Sequence, residues 1–185
     1  MINRSRPTRP SRKSIRLRGW DYSTPGAYFI TICTYRRQLL FDQPAFKEVV
    51  QNGWLAIPNQ PHAQHVQLDE WIVMPNHLHA VLFLAPVKWN LVKPVSPPIS
   101  QTYPRLKPGS VGVIIGNFKS LAAQRLNNLR RKLGQPVWQR GYYDRIIRNE
   151  RELNAIRQYI RDNPRRWDED RDNLDRLISK MRYVP

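Results

Sequence analysis

Apolar positions follow strand and helix periods in turn along the chain. GAYFITICTYRR, residues 26–37, is rich in aromatic and β-branched residues and follows Pro25-Gly26, which predicts a strand. PAFKEVVQNGWLAI, residues 44–57, spaces Phe46, Val49, Val50 and Trp54 as a helix opened by a proline, with Pro58 and Pro61 beyond it. HVQLDEWIVM (65–74) and HLHAVLFLA (77–85) read as two strands broken by Pro75-Asn76, and they should pair antiparallel. Residues 86–110 hold six prolines and predict a loop. Ser110 is set as an N-cap for a helix over 111–133, carried by Val111, Ile114, Ile115, Phe118, Leu121, Ala122, Leu129 and Leu133 and stopped by Gly134. PVWQRGYYDRIIR, residues 136–148, predicts a further strand. A last helix runs over 150–162, with Asn149 and Glu152 in capping-box spacing and Pro164 beyond it.

The order β-α-β-β-α-β-α predicts an α+β fold, a ferredoxin-like antiparallel sheet with helices packed on one face. The expected organisation is a flexible basic arm over 1–20, one domain over 21–167 with the Pro-rich loop inside it, and a charged tail over 168–185.

One feature of the strand pattern does not suit a core. His77 and His79 sit one residue apart at the start of the most apolar strand, and i, i+2 spacing puts both imidazoles on one face. Two imidazoles on one face make half of a transition-metal site. Taken alone, such a pair is more often structural, although an unpartnered imidazole beside an apolar run is costly. His62 and His65 lie in a Pro/Gln-rich stretch and read as surface residues. In the last helix, Leu153, Ile156 and Ile160 form an apolar stripe. Tyr159 and Asn163, four apart, lie side by side next to it. By spacing alone, that tyrosine is core and that asparagine a helix terminator.

Charge changes the picture more than composition does. The chain has 185 residues, 31 Lys and Arg against 14 Asp and Glu, and a formal charge of +17, which points to a polyanionic partner. The first eighteen residues carry seven basic side chains and no acid, an arm suited to phosphates. The single cysteine, Cys33, excludes an internal disulfide and a Cys-based zinc site, and a cytoplasmic location is expected. No apolar run is long enough to span a bilayer and no hydrophobic signal segment is seen, so no membrane partner is expected.

MPNHLHAVLFL, WQRGYYDRIIRNERELNAIRQYIRDNP and RLRGWDYSTPGAYFITICT together resemble the REP-associated tyrosine transposases. These are single-tyrosine transposases of the small insertion-sequence type, within the His-hydrophobic-His nuclease superfamily. The resemblance spans roughly residues 14–167 and makes 21–167 the expected catalytic domain. It implies that His77 and His79 bind a divalent metal, that Tyr159 of the YI..NP block is the nucleophile, and that Asn163 completes the metal site where many transposase relatives carry Gln. It also implies single-stranded DNA with hairpin structure as partner, cut and rejoined through a 5′-phosphotyrosine. Insertion-sequence relatives are dimers that share active sites, which makes a homodimer one expected arrangement. Mg²⁺ or Mn²⁺ is the expected cofactor, Mn²⁺ accepting imidazole more readily. Arg12, Lys13, Arg16, Arg18, Arg140 and Arg148 are expected DNA contacts. Trp138, Tyr142 and Tyr143 lie near basic residues where bases could stack. Two alternatives stand beside this reading: a nucleic-acid-binding regulator that does not cut, and a metal-dependent nuclease that uses water.

Overall fold

A computed structural model describes Leu17, residues 19–86 and residues 107–167. Arg12, Lys13, Arg16 and Arg18, most of the Pro-rich loop (87–106) and the tail over 168–185 lie outside the described residues. The elements follow the expected order: β1 (Gly26–Cys33), α1 (Pro44–Leu55), β2 (Val66–Met74), β3 (His77–Leu84), α2 (Val111–Leu129), β4 (Tyr143–Ile147) and α3 (Glu150–Asp162). The sheet order is β2-β3-β1-β4, antiparallel throughout. This is the ferredoxin-like α+β arrangement, with β3 and β1 central.

The two faces of the sheet are covered separately. Tyr28, Ile30 and Ile32 of β1 and Leu78, Ala80 and Leu82 of β3 point to one face, where Trp54 of α1 and Ile114, Ile115, Phe118 and Leu126 of α2 cover them. Phe29 and Val81 point to the other face and meet Leu153, Ile156 and Ile160 of α3. The helices therefore do not share one face as the element order alone suggests. The two crossover helices do, and α3, which follows the last strand, takes the opposite side.

Element ends differ from the sequence expectation for local reasons. β1 stops at Cys33 because residues 35–37 form a 3-10 turn. The helix expected over 111–133 ends at Leu129, since Arg131 takes a left-handed φ of 51°. β4 is five residues rather than thirteen. Gly141 at φ 79° interrupts the extended chain before it, leaving only a bridge between Trp138 and Thr34. The half-buried ammonium of Lys119, whose pKa burial pushes down to about 8, donates to the Gln139 and Gly141 carbonyls of that interruption.

α3 is fixed at its start by its cap. Asn149 Oδ1 accepts from Glu152 N at 2.8 Å, while Glu152 Oε2 accepts from Arg148 N at 3.0 Å, one residue before the N-cap itself. Asn149→Ala should lower stability by about 1 kcal/mol in urea denaturation. The helix docks through Leu153, Ile156 and Ile160, each contributing about 1.5–3 kcal/mol on burial. Two ion pairs to β2 add to this, Arg157–Asp69 at 2.7 Å and Arg161–Glu70 at 2.8 Å. Being partly exposed, such pairs contribute about 0–1 kcal/mol each, so the apolar stripe supplies the docking energy and the pairs set the rotation of the helix. A bulge between Leu68 and Trp71 lets two successive carboxylates reach the same helix, where regular alternation would turn one away.

Candidate active site at the start of strand β3

His77 and His79 face the α3 side of the sheet, and each is 1% exposed. Their ring centroids are 4.4 Å apart. The strand pairing brings Cys33 opposite His77 and Thr31 opposite His79. Thr31 Oγ1 lies 2.8 Å from His79 Nδ1, and the ring stacks on Phe29 at 5.4 Å. His77 Nδ1 lies 2.7 Å from Asn76 Oδ1. A carboxamide oxygen only accepts, so Nδ1 carries the proton and the lone pair of His77 sits on Nε2. That Nε2 is buried and makes no hydrogen bond of regular geometry among the described residues.

α3 brings the other two candidates to the same place. Tyr159 Oη is 3.1 Å from His79 Nε2, and its ring meets Phe29 edge-on at 6.3 Å. Asn163, the C-cap of α3, is fully buried beside His77. α3 packs on its own chain's sheet here, so the tyrosine reaches the histidines in cis. Beyond it, the half-buried Trp167 lies over His77 with centroids 6.0 Å apart.

Burial dominates the electrostatics. It pushes His77 down to about 3, with the nearby Arg37 charge adding to that and Asn163 opposing it. His79 is held well below the usual imidazole range by burial and by His77. Both rings are therefore neutral at pH 7, the form that ligates a metal or accepts a proton. The unfolded chain takes up protons as pH falls through about 6.5, while folded His77 does not until about pH 3. Protons thus favour the unfolded state, and this contribution to stability is present above pH 6.5 and is lost as pH falls towards 3. Melting temperature should fall steadily between pH 7 and pH 4, and His77→Gln should flatten part of that slope.

The donor set fits a divalent ion. No group of three or more His, Cys, Asp or Glu side chains suited to a metal is found among the described residues. Among the described residues, a centre here would draw a neutral third donor such as the buried Asn163, and the buried lone pair on His77 Nε2 suits a ligand. His79 Nε2 is engaged by Tyr159 and becomes available only when that hydrogen bond opens.

Several expected residues belong elsewhere. Arg140 is exposed and follows Trp138, whose bridge to Thr34 puts it at the His77 end of the sheet. Arg148 is exposed beyond Ile147, which pairs with Ala27 at the opposite end, six residues along β1 from Cys33 and about 20 Å away. Trp138 and Tyr143 are buried in the two cores, so neither offers a stacking face. His62 and His65 are half-buried rather than plain surface residues. His62 Nε2 accepts from Asn117 at 3.0 Å and His65 Nε2 donates to the Gly109 carbonyl at 2.8 Å, both away from the pair. Asn76 and Thr31, which orient the two rings, have a sequence signal in hindsight. Thr31 is the polar position within FITIC, and Asn76 directly precedes the first histidine.

No family profile matches the chain. An uncharacterized protein of Haemophilus influenzae is 32% identical over 174 residues, covering 89% of this chain and 94% of that one. The chain belongs to that protein's family. Among solved structures, a REP-associated tyrosine transposase bound to a REP hairpin is similar at 16% identity with a TM-score of 0.47, over 75% of this chain and 66% of that chain. This chain thus spans just under two thirds of that structure. A Deinococcus radiodurans protein provisionally named a transposase is similar at 17% identity and a TM-score of 0.41, over 79% of this chain and 95% of that one. No helix among the described residues is long and apolar enough to cross a membrane.

Proposed function

We propose that the chain is a DNA transposase or nuclease of the REP-associated tyrosine type, which cuts and rejoins single-stranded hairpin DNA through Tyr159. The observation that carries this reading is the 3.1 Å contact between Tyr159 Oη and His79 Nε2, with His77 and Asn163 in the same buried cluster. In the proposed step Tyr159 Oη attacks phosphorus, the bond from phosphorus to the 3′ oxygen breaks, and the strand is left with a free 3′ hydroxyl and a 5′-phosphotyrosine. Since the phosphoester is conserved, a second 3′ hydroxyl can reverse the step on another end without ATP.

His79 orients the nucleophile more than it activates it. A free phenol titrates far above an imidazole that burial holds well below its ordinary range, so passing the Tyr159 proton to His79 is strongly uphill. The hydrogen bond fixes where the hydroxyl points, while activation requires positive charge at the phosphate. Once the Tyr159 hydrogen bond to His79 Nε2 opens, a divalent ion, Mg²⁺ or Mn²⁺, held by His77, His79 and Asn163 would supply charge there and stabilise the leaving oxygen. The basic arm and Arg140 supply phosphate contacts on the flanking strand.

The second reading is a non-cutting nucleic-acid binder on the same fold, favoured by the near-complete burial of both imidazoles. Incubation with a single-stranded hairpin library and Mn²⁺ separates the readings. Protein-linked DNA supports the tyrosine mechanism. Cut DNA without linkage indicates a water-using nuclease, and binding without cutting indicates the regulator.

A further inference from the structure

α3 runs past the end of the sheet it docks on. His77 opens β3, and its partners Cys33 and Met74 are the last residues of β1 and β2. The apolar stripe of α3, Leu153, Ile156 and Ile160, lies over the sheet, and the same helical spacing goes on to Asn163 and Trp167. Pro164 does not break this course. Asn163 N donates to Ile160 O and Trp167 N to Pro164 O, each three residues back, and both residues keep helical backbone at φ −56° and −55°. An indole is thereby carried to the last row of the sheet, where it meets the ring of His77.

Four rings follow one another by contact. Tyr159 to His79 is 5.2 Å between centroids, His79 to His77 is 4.4 Å, and His77 to Trp167 is 6.0 Å with the planes tilted by 35°. The phenol and the indole stand at the two ends of one series, and one continuous segment delivers both. Core packing does not account for the indole. Trp54 and Trp138 are 0% and 9% exposed within an apolar cluster, whereas Trp167 is half-buried, belongs to neither cluster and overlies a polar ring. Arg165 and Arg166 before it are exposed, but Asp168, Glu169 and Asp170 come next in sequence, so charge alone selects no ligand here. A part-exposed aromatic ring does, because every nucleobase has a π face that stacks on it.

We propose that Trp167 is a base-stacking residue of this site, holding a base next to the phosphodiester that Tyr159 attacks. The proposal rests on the reading of Tyr159 as nucleophile and adds what places the strand against it. Attack needs phosphorus held in line with Oη, and a phosphodiester is tethered to the neighbouring base through a single sugar. Fixing that base at one end of the ring series fixes the phosphate along it. An indole in this role adds no salt dependence and imposes no strict sequence requirement.

Binding of the full chain to an oligothymidine and to an abasic oligomer of equal length tests this, since the two carry the same phosphates. Wild type should bind the oligothymidine more tightly. Trp167→Ala should weaken oligothymidine binding about tenfold, leave abasic binding within about twofold, and leave the log–log salt slope unchanged. Trp167→Phe should keep most of the affinity. Trp167→Leu keeps apolar bulk over His77 without a π face, and should behave as Trp167→Ala does. The rate of adduct formation with a single-stranded hairpin and Mn²⁺, measured below saturation, should follow the same order. Oligothymidine binding by Trp167→Ala at the wild-type level overturns the proposal, as does an equal loss on both oligomers, which would mark a general effect on the fold. Recovery by Trp167→Leu to the level of Trp167→Phe also overturns it and makes the indole a cover for His77. If the wild-type chain forms no adduct, the nucleophile reading fails, and the difference between the two oligomers still decides whether Trp167 stacks a base.

Discussion

Tyr159→Phe is expected to form no covalent adduct with single-stranded hairpin DNA under conditions where the wild-type chain does. Phenylalanine keeps the ring against Phe29 and removes only Oη, so α3 should dock as before. The lost hydrogen bond leaves His79 Nε2 buried without its partner, which should lower stability by about 1 kcal/mol. Binding to single-stranded DNA should stay within about twofold, because the phosphate contacts are elsewhere. Denaturing electrophoresis of labelled DNA after incubation reads the adduct directly. A retained adduct would move the nucleophile to another tyrosine and leave Tyr159 as a packing residue.

The second large effect lies in the histidines. His77→Ala and His79→Ala should each lower metal-dependent cleavage by at least about 10²-fold, the range seen when a group stabilising developing charge is removed. Burial adds a consequence that exposed ligands would not have. Each substitution opens a cavity and orphans a partner, Asn76 Oδ1 for His77 and Thr31 Oγ1 for His79, so stability should also fall by about 2–4 kcal/mol. A loss of activity alone would then be ambiguous. The decisive measurement is the rise in melting temperature on adding Mn²⁺. An ion bound only by the folded chain stabilises it by about 2.7 kcal/mol at one hundred times its dissociation constant. That rise should be present in wild type and absent in both variants. An equal rise in all three would reduce the pair to structural histidines.

The sequence by itself determined the element order and most of the ends. Those features are local: alternation in β1 and β3, helical spacing in α1 and α2, and the caps Ser110 and Asn149, whose side chains accept from Val113 N and Glu152 N. The side-by-side placement of His77 and His79 was legible for the same reason, since i, i+2 spacing in a strand needs no partner to be read. Tyr159 and Asn163 drew attention through a motif resemblance, because their spacing alone suggests core and terminator. Tertiary structure decided what lies far apart in sequence. It set α3 on the face opposite α1 and α2, because the apolar stripe of that helix matches the free face carrying Phe29 and Val81, and the β2 bulge turned Asp69 and Glu70 to meet its arginines. It buried both imidazoles, which fixes their neutral state. It also fastened the turn after β1 to the turn before β3 through the Thr34–Asn76 and Phe41–Pro75 hydrogen bonds, about forty residues apart, a pairing no local period encodes.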